Sequence, residues 1–499
     1  MSVDTELTPE QMASLDSIFQ AGLRAMAQGD YKDAVERFSQ IIDDGFSNAV
    51  LLTTYGNALK GLKLFDKAVA ACKSAVELDS GNMQALMNLG SAHLAAGDWQ
   101  NAKAVYQGAL GLFPGESEIH FNLGTAWLEG NELDEARSAL QRAVALDRES
   151  FQAWVNLGAV RKRLGDFEGS REAYAKAVGL DPDEPRAQWN LSLAELSDGD
   201  YARGWDRYEW RQQVEDIPVR DFPMTRWDGR MEPASNLLIH SEQGLGDTLQ
   251  FVRLLKFAKE RVRNVCLLAP RPLCPILKHS GIADYVAGDT SELPPCHMHL
   301  PLLSLPRLTG NGFLGAIDQV PYLQARRDLV ESWSKALDGD SHFKIGICWQ
   351  GNPGYKEDRS RSVPLLSFES LCDDSDVELW ALQKGSGLEQ VQSFGPSERL
   401  RVQNAEFDVQ HGAFMDTAAL ASQMNLIVTS DTSVAHLVGG MGLPVWLALP
   451  FVSDWRWGQY GDLTPWYPSM RLFRQDSYGD WSGVFRRISD ALVKFKASA

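Results

Sequence analysis

Long hydrophobic runs are missing from this sequence. None of its 499 residues lies in an uninterrupted apolar stretch of the roughly 18 residues that a membrane-spanning helix requires. The first residues, MSVDTELTPEQ, are acidic and polar and lack the apolar segment of a secretory signal peptide. We therefore predict a soluble, cytoplasmic protein with no membrane insertion.

Cysteine is also scarce. The chain has 6 cysteines and no C-x-x-C pair, which argues against a disulfide framework and against structural zinc. Cys296 and His297 are adjacent on a predicted strand and therefore point to opposite faces. The acidic stretch 372–376 is interpreted as a solvated turn. We predict no metal site and no bound cofactor.

Positive charge is in short supply. The formal net charge is -18, whereas binding to nucleic acid requires clustered Lys and Arg. Much of the excess lies in residues 1–210, which carry 19 basic and 32 acidic side chains. Nucleic acid is thus not expected as a partner.

A repeat of 34 residues fills the first part of the chain, where Gly56, Gly90, Gly124 and Gly158 recur at that spacing. Each unit reads as two amphipathic helices joined by a short turn. These features resemble tetratricopeptide repeats (TPR). The resemblance implies about six units over residues 1–211, an all-α superhelix whose groove binds an extended protein segment.

A row of asparagines recurs with the same period. An amide side chain both donates and accepts, so such a row can hold a peptide backbone without reading its sequence. A similar row in the eukaryotic O-GlcNAc transferases has this role. The alternative is that each asparagine bridges neighbouring helices. The candidate acceptor-binding residues are Asn88, Asn122, Asn156 and Asn190.

Residues 212–235 read as a connector that Trp210 and Trp227 pack against its neighbours. Beyond it, strands alternate with helices in two series, over 236–340 and 341–499. This predicts two Rossmann-like α/β domains with a ligand cleft between them, the layout of a GT-B glycosyltransferase. Among the predicted elements are a strand at VPYLQA and a helix at SFESLC.

The stretch NLLIHSEQGLGDTLQF opens the first series. It reads as a buried strand, a turn in which Gly244 and Gly246 need unusual backbone angles, and a helix capped by Asp247. At the carboxyl end of a parallel strand, Asp247 is a candidate general base. Helix capping alone is the other interpretation.

Two later segments indicate phosphate binding. TSDTSVAHLVGGMG places Asp431, Thr432 and Ser433 where a helix begins, with His436 on its first turns. WQGNPGYKEDRSRSVPL is a charge-rich loop in which Arg359 or Arg361 suits a diphosphate. A capping arrangement, a core histidine and a solvated charge run are the alternatives.

Taken in order, EQGLGD, CWQGNP with RSRSVP, LQKG and SDTSVAHLVGGMGLPVW resemble the bacterial ADP-heptose transferase family of glycosyltransferases over roughly 237–499. The resemblance implies that Asp247 is the acceptor base and that Arg361 binds the donor phosphates. Arg361 replaces the usual Lys, Ser433 replaces Gly, and the basic residue that the family has near its acid has no counterpart. The implied donor-binding residues are Gly244, Gly246, Gln350, Gly351, Asn352, Arg361, Gln383, Asp431, Thr432, Ser433 and His436.

TPR arrays fused to such a domain resemble bacterial protein glycosyltransferases, including those proposed for flagellins. The resemblance implies metal-independent transfer of a sugar from a nucleotide-activated donor, the co-substrate, to a protein acceptor held by the array. Two alternatives stay open. One is a glycosyltransferase of envelope polysaccharide or lipid-linked glycan assembly, and the other is a non-catalytic scaffold.

Overall fold

The computed structural model describes residues 8–310, 320–355 and 358–498. Two compact units make up the chain, Met1–Ala187 and Gln188–Ala499. The division falls inside helix Pro185–Ser197, before residue 211, where the sequence predicts that the array ends.

The first unit is all-helical and is built from consecutive helix pairs of similar length. Short turns join the helices. The helices that lie wholly within it are Pro9–Ala27, Tyr31–Asp43, Ala49–Gly61, Phe65–Leu78, Met83–Ala95, Trp99–Leu112, Ser117–Glu129, Leu133–Leu146, Phe151–Arg163 and Phe167–Leu180.

The turn within each pair has the same backbone form. The second-to-last residue of each turn has a positive φ, between 60° and 80°. These residues are Gly29, Lys63, Gly97, Asn131 and Gly165. Glycine and asparagine tolerate this left-handed conformation best, which explains the recurring G-D pair. After three of these residues, an aspartate side chain accepts a hydrogen bond from the backbone N–H three residues further on and so begins the second helix.

The repeated glycines lie where the two helices of a pair touch. A Cβ at Gly90 would stand 2.4 Å from the ring of Tyr106, and one at Gly158 would stand 2.7 Å from the ring of Tyr174. A side chain therefore fits at neither position. The same close approach occurs at Gly22 with Phe38, Gly56 with Cys72, and Gly124 with Leu140.

A sixth helix pair, Pro185–Ser197 and Tyr201–Tyr208, belongs mainly to the second unit. Trp205 on its second helix makes edge contacts with Phe251 and Trp455, at centroid distances of 5.5 and 5.3 Å. Trp227 of the predicted connector is buried and packs against Phe257. Trp227 therefore packs as predicted, but Trp205 contacts more aromatic rings.

The first sheet of the second unit has five parallel strands in the order β1-β5-β2-β3-β4. The β2 strand is longer than the predicted apolar core, and β1 lies inside the predicted connector. The strands are β1 Thr225–Arg226, β2 Glu232–His240, β3 Val262–Leu268, β4 Tyr285–Ala287 and β5 Met298–Pro301.

The second sheet has six parallel strands in the order β11-β10-β9-β6-β7-β8. This is the doubly wound order. Strands β7 and β8 are added on one side of β6, and strands β9, β10 and β11 are then added on its other side. The strands are β6 Phe343–Cys348, β7 Val377–Ala381, β8 Leu400–Arg401, β9 Leu426–Ser430, β10 Val445–Leu449 and β11 Met470–Arg474.

Helices follow most of these strands, so the prediction of parallel sheets with helices is confirmed. One predicted element was wrong, because VPYLQA is not a strand. The predicted helix at SFESLC is present, as part of the 3₁₀ helix Leu365–Asp373. The helices are Leu245–Phe251, Leu255–Lys259, Cys274–His279, Leu305–Thr309, Arg327–Ala336, Asp358–Arg361, Met415–Ala421, Ser433–Gly440 and Trp481–Ser498.

Candidate functional site

Asp247 lies in the first turn of the helix that follows β2. The N-cap is Gly244, whose N–H donates to Asp247 Oδ2 at 2.7 Å, so the expectation that Asp247 is itself the N-cap was wrong. Neither Gly244 nor Gly246 has a positive φ, and the left-handed residue of the turn is Gln243, at 60°. The unusual backbone angle was thus predicted in the right turn but at the wrong residues.

Arg456 is the partner of Asp247 that the sequence analysis missed. It follows β10 in the 3₁₀ helix Trp455–Trp457. Its Nη2 donates to Asp247 Oδ1, its Nη1 donates to Asp454 at 2.8 Å, and its Nε donates to Gln250 at 2.6 Å. A basic residue therefore does lie beside Asp247, and it comes from the segment after β10 of the second sheet. An arginine between two tryptophans just after a buried strand was the signal in the sequence.

Burial and charge oppose each other in this cluster. Burial raises the pKa of Asp247, and the Arg456 guanidinium opposes that rise. Burial by itself lowers the pKa of Arg456. The negative charges of Asp454 and Asp247 have a larger, opposite effect and raise the pKa of Arg456 above that of an ordinary arginine. Arg456 therefore stays charged and favours the ionised form of Asp247.

His436 connects the helix after β9 to the helix after β2. A Cβ on Gly246 would stand 2.8 Å from His436 Cδ2, so Gly246 is required for this close approach. The ring stacks on Trp457 with an interplanar angle of 22°, and Nδ1 is 2.9 Å from the Tyr467 hydroxyl. Burial, together with the charge of Arg456, lowers the pKa of His436 well below its ordinary value. The imidazole is therefore neutral at physiological pH.

Asp431 and Thr432 are buried at the carboxyl end of β9, and Ser433 begins the next helix half-buried. Burial raises the pKa of Asp431 to about 6, helped by the negative charge of Asp454. Thr432 is the N-cap, but its side chain caps no backbone N–H. The interpretation of this segment as a simple side-chain capping arrangement is therefore wrong for Thr432.

Gln383 joins the loops after β6 and β7. Its Oε1 accepts from the backbone N–H groups of Trp349 and Gln350, both at 3.0 Å. Its Nε2 donates to the carbonyls of Gln350 and Ser386. All four bonds are internal to the protein, so Gln383 shapes the predicted donor loop.

The loop after β6 carries the other predicted donor residues. Gln350 is half-buried and accepts from Gln390 at 3.0 Å, whereas Asn352 is exposed. A Cβ on Gly351 would stand 2.7 Å from Arg361 Nη2, so the chain passes close to that guanidinium. Arg361 itself pairs with the buried Asp358 at 3.2 Å.

The loops after β2, β6, β9 and β10 therefore converge. Gly246 touches His436, Asp247 pairs with Arg456, and the charges of Arg361 and Arg456 both act on Asp431. In parallel α/β sheets, ligands bind beyond the carboxyl ends of strands, where the order of the strands reverses. In the second sheet that place lies between β6 and β9, and the predicted residues of the two loops flank it.

The asparagine row lies partly inside the helix packing. Asn88 is buried, while Asn122, Asn156 and Asn190 are half-buried. The Nδ2 of Asn156 donates to Thr125 Oγ1 of the preceding repeat at 3.0 Å. For Asn156, therefore, the structure favours the alternative in which the side chain bridges neighbouring helices.

Membrane-spanning helices and metal-binding clusters are both absent from the described ranges. Among residues 8–310, 320–355 and 358–498, no helix combines the length and apolar composition needed to cross a bilayer. In that same part of the chain, no three His, Cys, Asp or Glu side chains are arranged to hold a metal ion.

Comparison with known proteins bears mainly on the helical region. A tetratricopeptide repeat family model matches residues 19–83, 87–151 and 155–204. Protein FlbA of Caulobacter vibrioides is 24% identical over 325 residues, which cover 61% of this chain and 54% of FlbA. The chain thus spans about half the length of that relative.

Solved structures of TPR proteins also match part of the chain. A thermophilic TPR protein of Thermus thermophilus is 20% identical, with a TM-score of 0.33, over 36% of this chain and 99% of that one. MamA of Desulfovibrio magneticus is also 20% identical, with a TM-score of 0.31, over 34% and 96%. On the family match, the N-terminal region of the chain is an array of tetratricopeptide repeats, a type of repeat that typically binds protein partners.

Proposed function

We propose that this protein is a metal-independent glycosyltransferase of the GT-B type, which moves a sugar from a nucleotide-activated donor to a protein. The observation that carries the proposal is the meeting of loops from two parallel sheets. It brings together a half-buried carboxylate, Asp247, its partner Arg456, and Arg361, whose charge acts on Asp431 together with that of Arg456. An acid at one loop and cations at the facing loops are the groups that sugar transfer requires.

In the proposed reaction, Asp247 takes the proton from an acceptor hydroxyl. The hydroxyl oxygen forms a bond to the anomeric carbon of the sugar. The bond between that carbon and the phosphate oxygen breaks, and its electron pair leaves with the nucleotide. The side chain of Asp247 is half-buried, and this burial raises its pKa, so its carboxylate is a stronger base than one in water.

The departing phosphate gains negative charge as its bond to the sugar breaks. Arg361 and Arg456 are the cations proposed to bind it, because a guanidinium binds phosphate oxygens through two parallel N–H groups. Backbone N–H groups at the start of helix Ser433–Gly440 add a second source of stabilisation, because the Thr432 side chain does not cap them.

The repeat array supplies the proposed acceptor specificity. TPR arrays present an extended surface built from successive repeats, and this one carries asparagines at equivalent positions. Flagellin is the candidate acceptor, because TPR arrays fused to such a domain resemble glycosyltransferases proposed for flagellins. The acceptor nucleophile is a Ser or Thr hydroxyl.

Intact mass spectrometry tests this function. Flagellin and other candidate acceptors are co-expressed with the wild-type chain, with Asp247→Asn, or alone. We expect a mass increase of one or more sugars with the wild-type chain only. Transfer of sugar to a lipid carrier with unmodified protein acceptors would contradict the proposed acceptor, and no transfer in either assay would contradict the proposed enzyme.

The role of the array has a separate test. Replacing Asn88, Asn122, Asn156 and Asn190 together by Ala should weaken capture of the acceptor, while hydrolysis of the donor persists. Each lost hydrogen bond is worth about 0.5 to 1.5 kcal/mol. Unchanged capture by a folded variant would assign recruitment to another surface.

A further inference from the structure

The guanidinium of Arg456 donates hydrogen bonds to three different side chains. It holds Asp247 and Gln250 from the helix after β2, and Asp454 from its own loop. Its side chain is only 8% exposed, whereas that of Asp454 is 34% exposed. The cluster is therefore open to solvent on the side of Asp454.

A guanidinium binds carboxylate and phosphate with the same planar N–H groups. A diphosphate that enters beside Asp431 consequently competes with Asp454 and Asp247 for Arg456, whose charge already acts on Asp431. Gln250 holds Nε and is uncharged, so it can keep its bond while the two Nη groups change partners.

We propose, on the basis of the function proposed above, that Arg456 couples the two substrates: the donor diphosphate draws its guanidinium from Asp247, which frees the base only once the donor is bound. Acceptor hydroxyls then meet an active base only in the donor complex. The enzyme binds donor first and acceptor second. Arg456 is thus both a ligand for phosphate and a positioning residue for Asp247.

The change at Asp247 follows from its neighbours. The groups that face it are Arg456, the negative charges of Asp454 and Glu242, and the neutral Tyr208. When Arg456 turns to the diphosphate, burial and two like charges remain and the carboxylate binds protons more strongly. A general base works best when its pKa lies near the working pH, so this change activates Asp247.

Proton uptake on nucleotide binding is the direct measurement. Calorimetry of UDP, GDP and ADP in three buffers of different ionisation enthalpy, near neutral pH, gives the number of protons taken up per bound nucleotide. We expect the wild-type protein to take up a fraction of a proton that is absent from Asp247→Asn. The Asp454→Asn variant should retain that uptake, because it removes the other carboxylate.

Arg456→Lys provides a second variant that keeps the charge but loses the planar fork. We expect its affinity for the nucleotide to fall about tenfold to a hundredfold, the loss for a charge-assisted hydrogen bond, with its melting temperature near that of the wild type. The uptake that depends on Asp247 should also decrease.

The outcomes separate the two proposals. Binding with equal proton uptake in the wild type and in Asp247→Asn would overturn the coupling through Arg456 and leave the proposed enzyme standing. Failure of all three nucleotides to bind the folded wild-type protein would overturn the nucleotide site, and with it both proposals.

Discussion

The repeat array and the α/β part bury their side chains in different ways. Within Met1–Ala187 the buried residues form separate small clusters between neighbouring helices. In the second unit one cluster extends from Leu196 through both sheets to Leu472. A partner in the array is found sixteen residues away, as for Gly90 and Tyr106, whereas Asp247 and Arg456 are 209 residues apart.

The difference shows which part of a fold local sequence can determine. Repeated local contacts give the array its stability and are visible as a period. The contacts that form the candidate site are long-range, and each occurs once. Substitutions in the two regions should therefore fail in different ways.

The largest effect is expected at the site. Asp247→Asn should lower the rate of transfer about 100- to 10,000-fold, the usual range for loss of a general base, because the amide cannot take up a proton. Nucleotide affinity should not fall, since the amide oxygen can still accept from Gly244. Calorimetry and a transfer assay check both. A parallel loss of affinity and turnover would show that Asp247 has a structural role instead.

Trp205→Ala tests whether the sixth helix pair belongs to the α/β core. Removing a buried tryptophan typically costs about 3 to 5 kcal/mol of unfolding free energy. We expect the loss in the denaturation of the sheets, because Trp205 packs on Phe251 and Trp455. Trp210→Ala, at a half-buried tryptophan nearby, is the control and should cost less. If Trp205→Ala left the stability of the sheets unchanged, the sixth helix pair would not be part of the α/β core.

Arg361→Ala should weaken nucleotide binding by about 1.5 to 3 kcal/mol, the value of a hydrogen bond to a charged group. Arg359 is exposed and lies two residues away, so Arg359→Ala is the matched control and should change the affinity little. Equal affinities in the two variants would remove Arg361 from the donor site. Calorimetry with the nucleotide that binds the wild-type protein gives the measurement.

Two glycines of one helix pair sharpen the account of the array. Gly90→Ala should cost about 1 to 3 kcal/mol, the usual cost of overpacking, because the new Cβ would meet Tyr106. Gly108 lies inside helix Trp99–Leu112 with nothing within 4 Å of a Cβ. Gly108→Ala should therefore stabilise the protein by about 0.5 to 1 kcal/mol. The free energy of unfolding is measured by urea denaturation. A change in the same direction in both variants would contradict the packing argument.

The smallest effect is expected for Asn156→Ala, which removes one half-buried hydrogen bond to Thr125. The loss is about 0.5 to 1.5 kcal/mol, partly offset because alanine is the better helix former. Thr125→Val removes the same bond from the other side. If the two losses add fully in the double variant, the side chains do not interact.

Much of the architecture could be predicted from the sequence. The 34-residue period located the helix pairs, and alternating apolar segments located most of the strands. The errors fell on segments without a clear period: the edge strands β1, β8 and β11 were missed, and residues 320–325 were assigned to a strand. Short edge strands owe their form to the neighbouring strand more than to their own sequence.

The candidate site could be predicted only in part. Asp247, Asp431 and His436 stood in recognisable motifs, and the structure brings their loops together. Arg456 was missed because its partner lies in the other sheet. Gln383 was assigned to the donor because a motif contains it, but its bonds to Trp349 and Ser386 show that its amide holds the loop. Such pairings depend on how the sheets pack, which no local pattern contains.

The glycine contacts within each helix pair have a consequence for how the gene can change. Because each of these contacts closes within one pair, unequal recombination can add or delete a 34-residue unit without leaving a glycine opposite the wrong residue. The sixth pair has no such freedom, since Trp205 packs against Phe251, which follows β2 of the first sheet, and against Trp455, which follows β10 of the second sheet. Related genes should therefore differ in the number of units before that pair and keep the pair itself together with the α/β part.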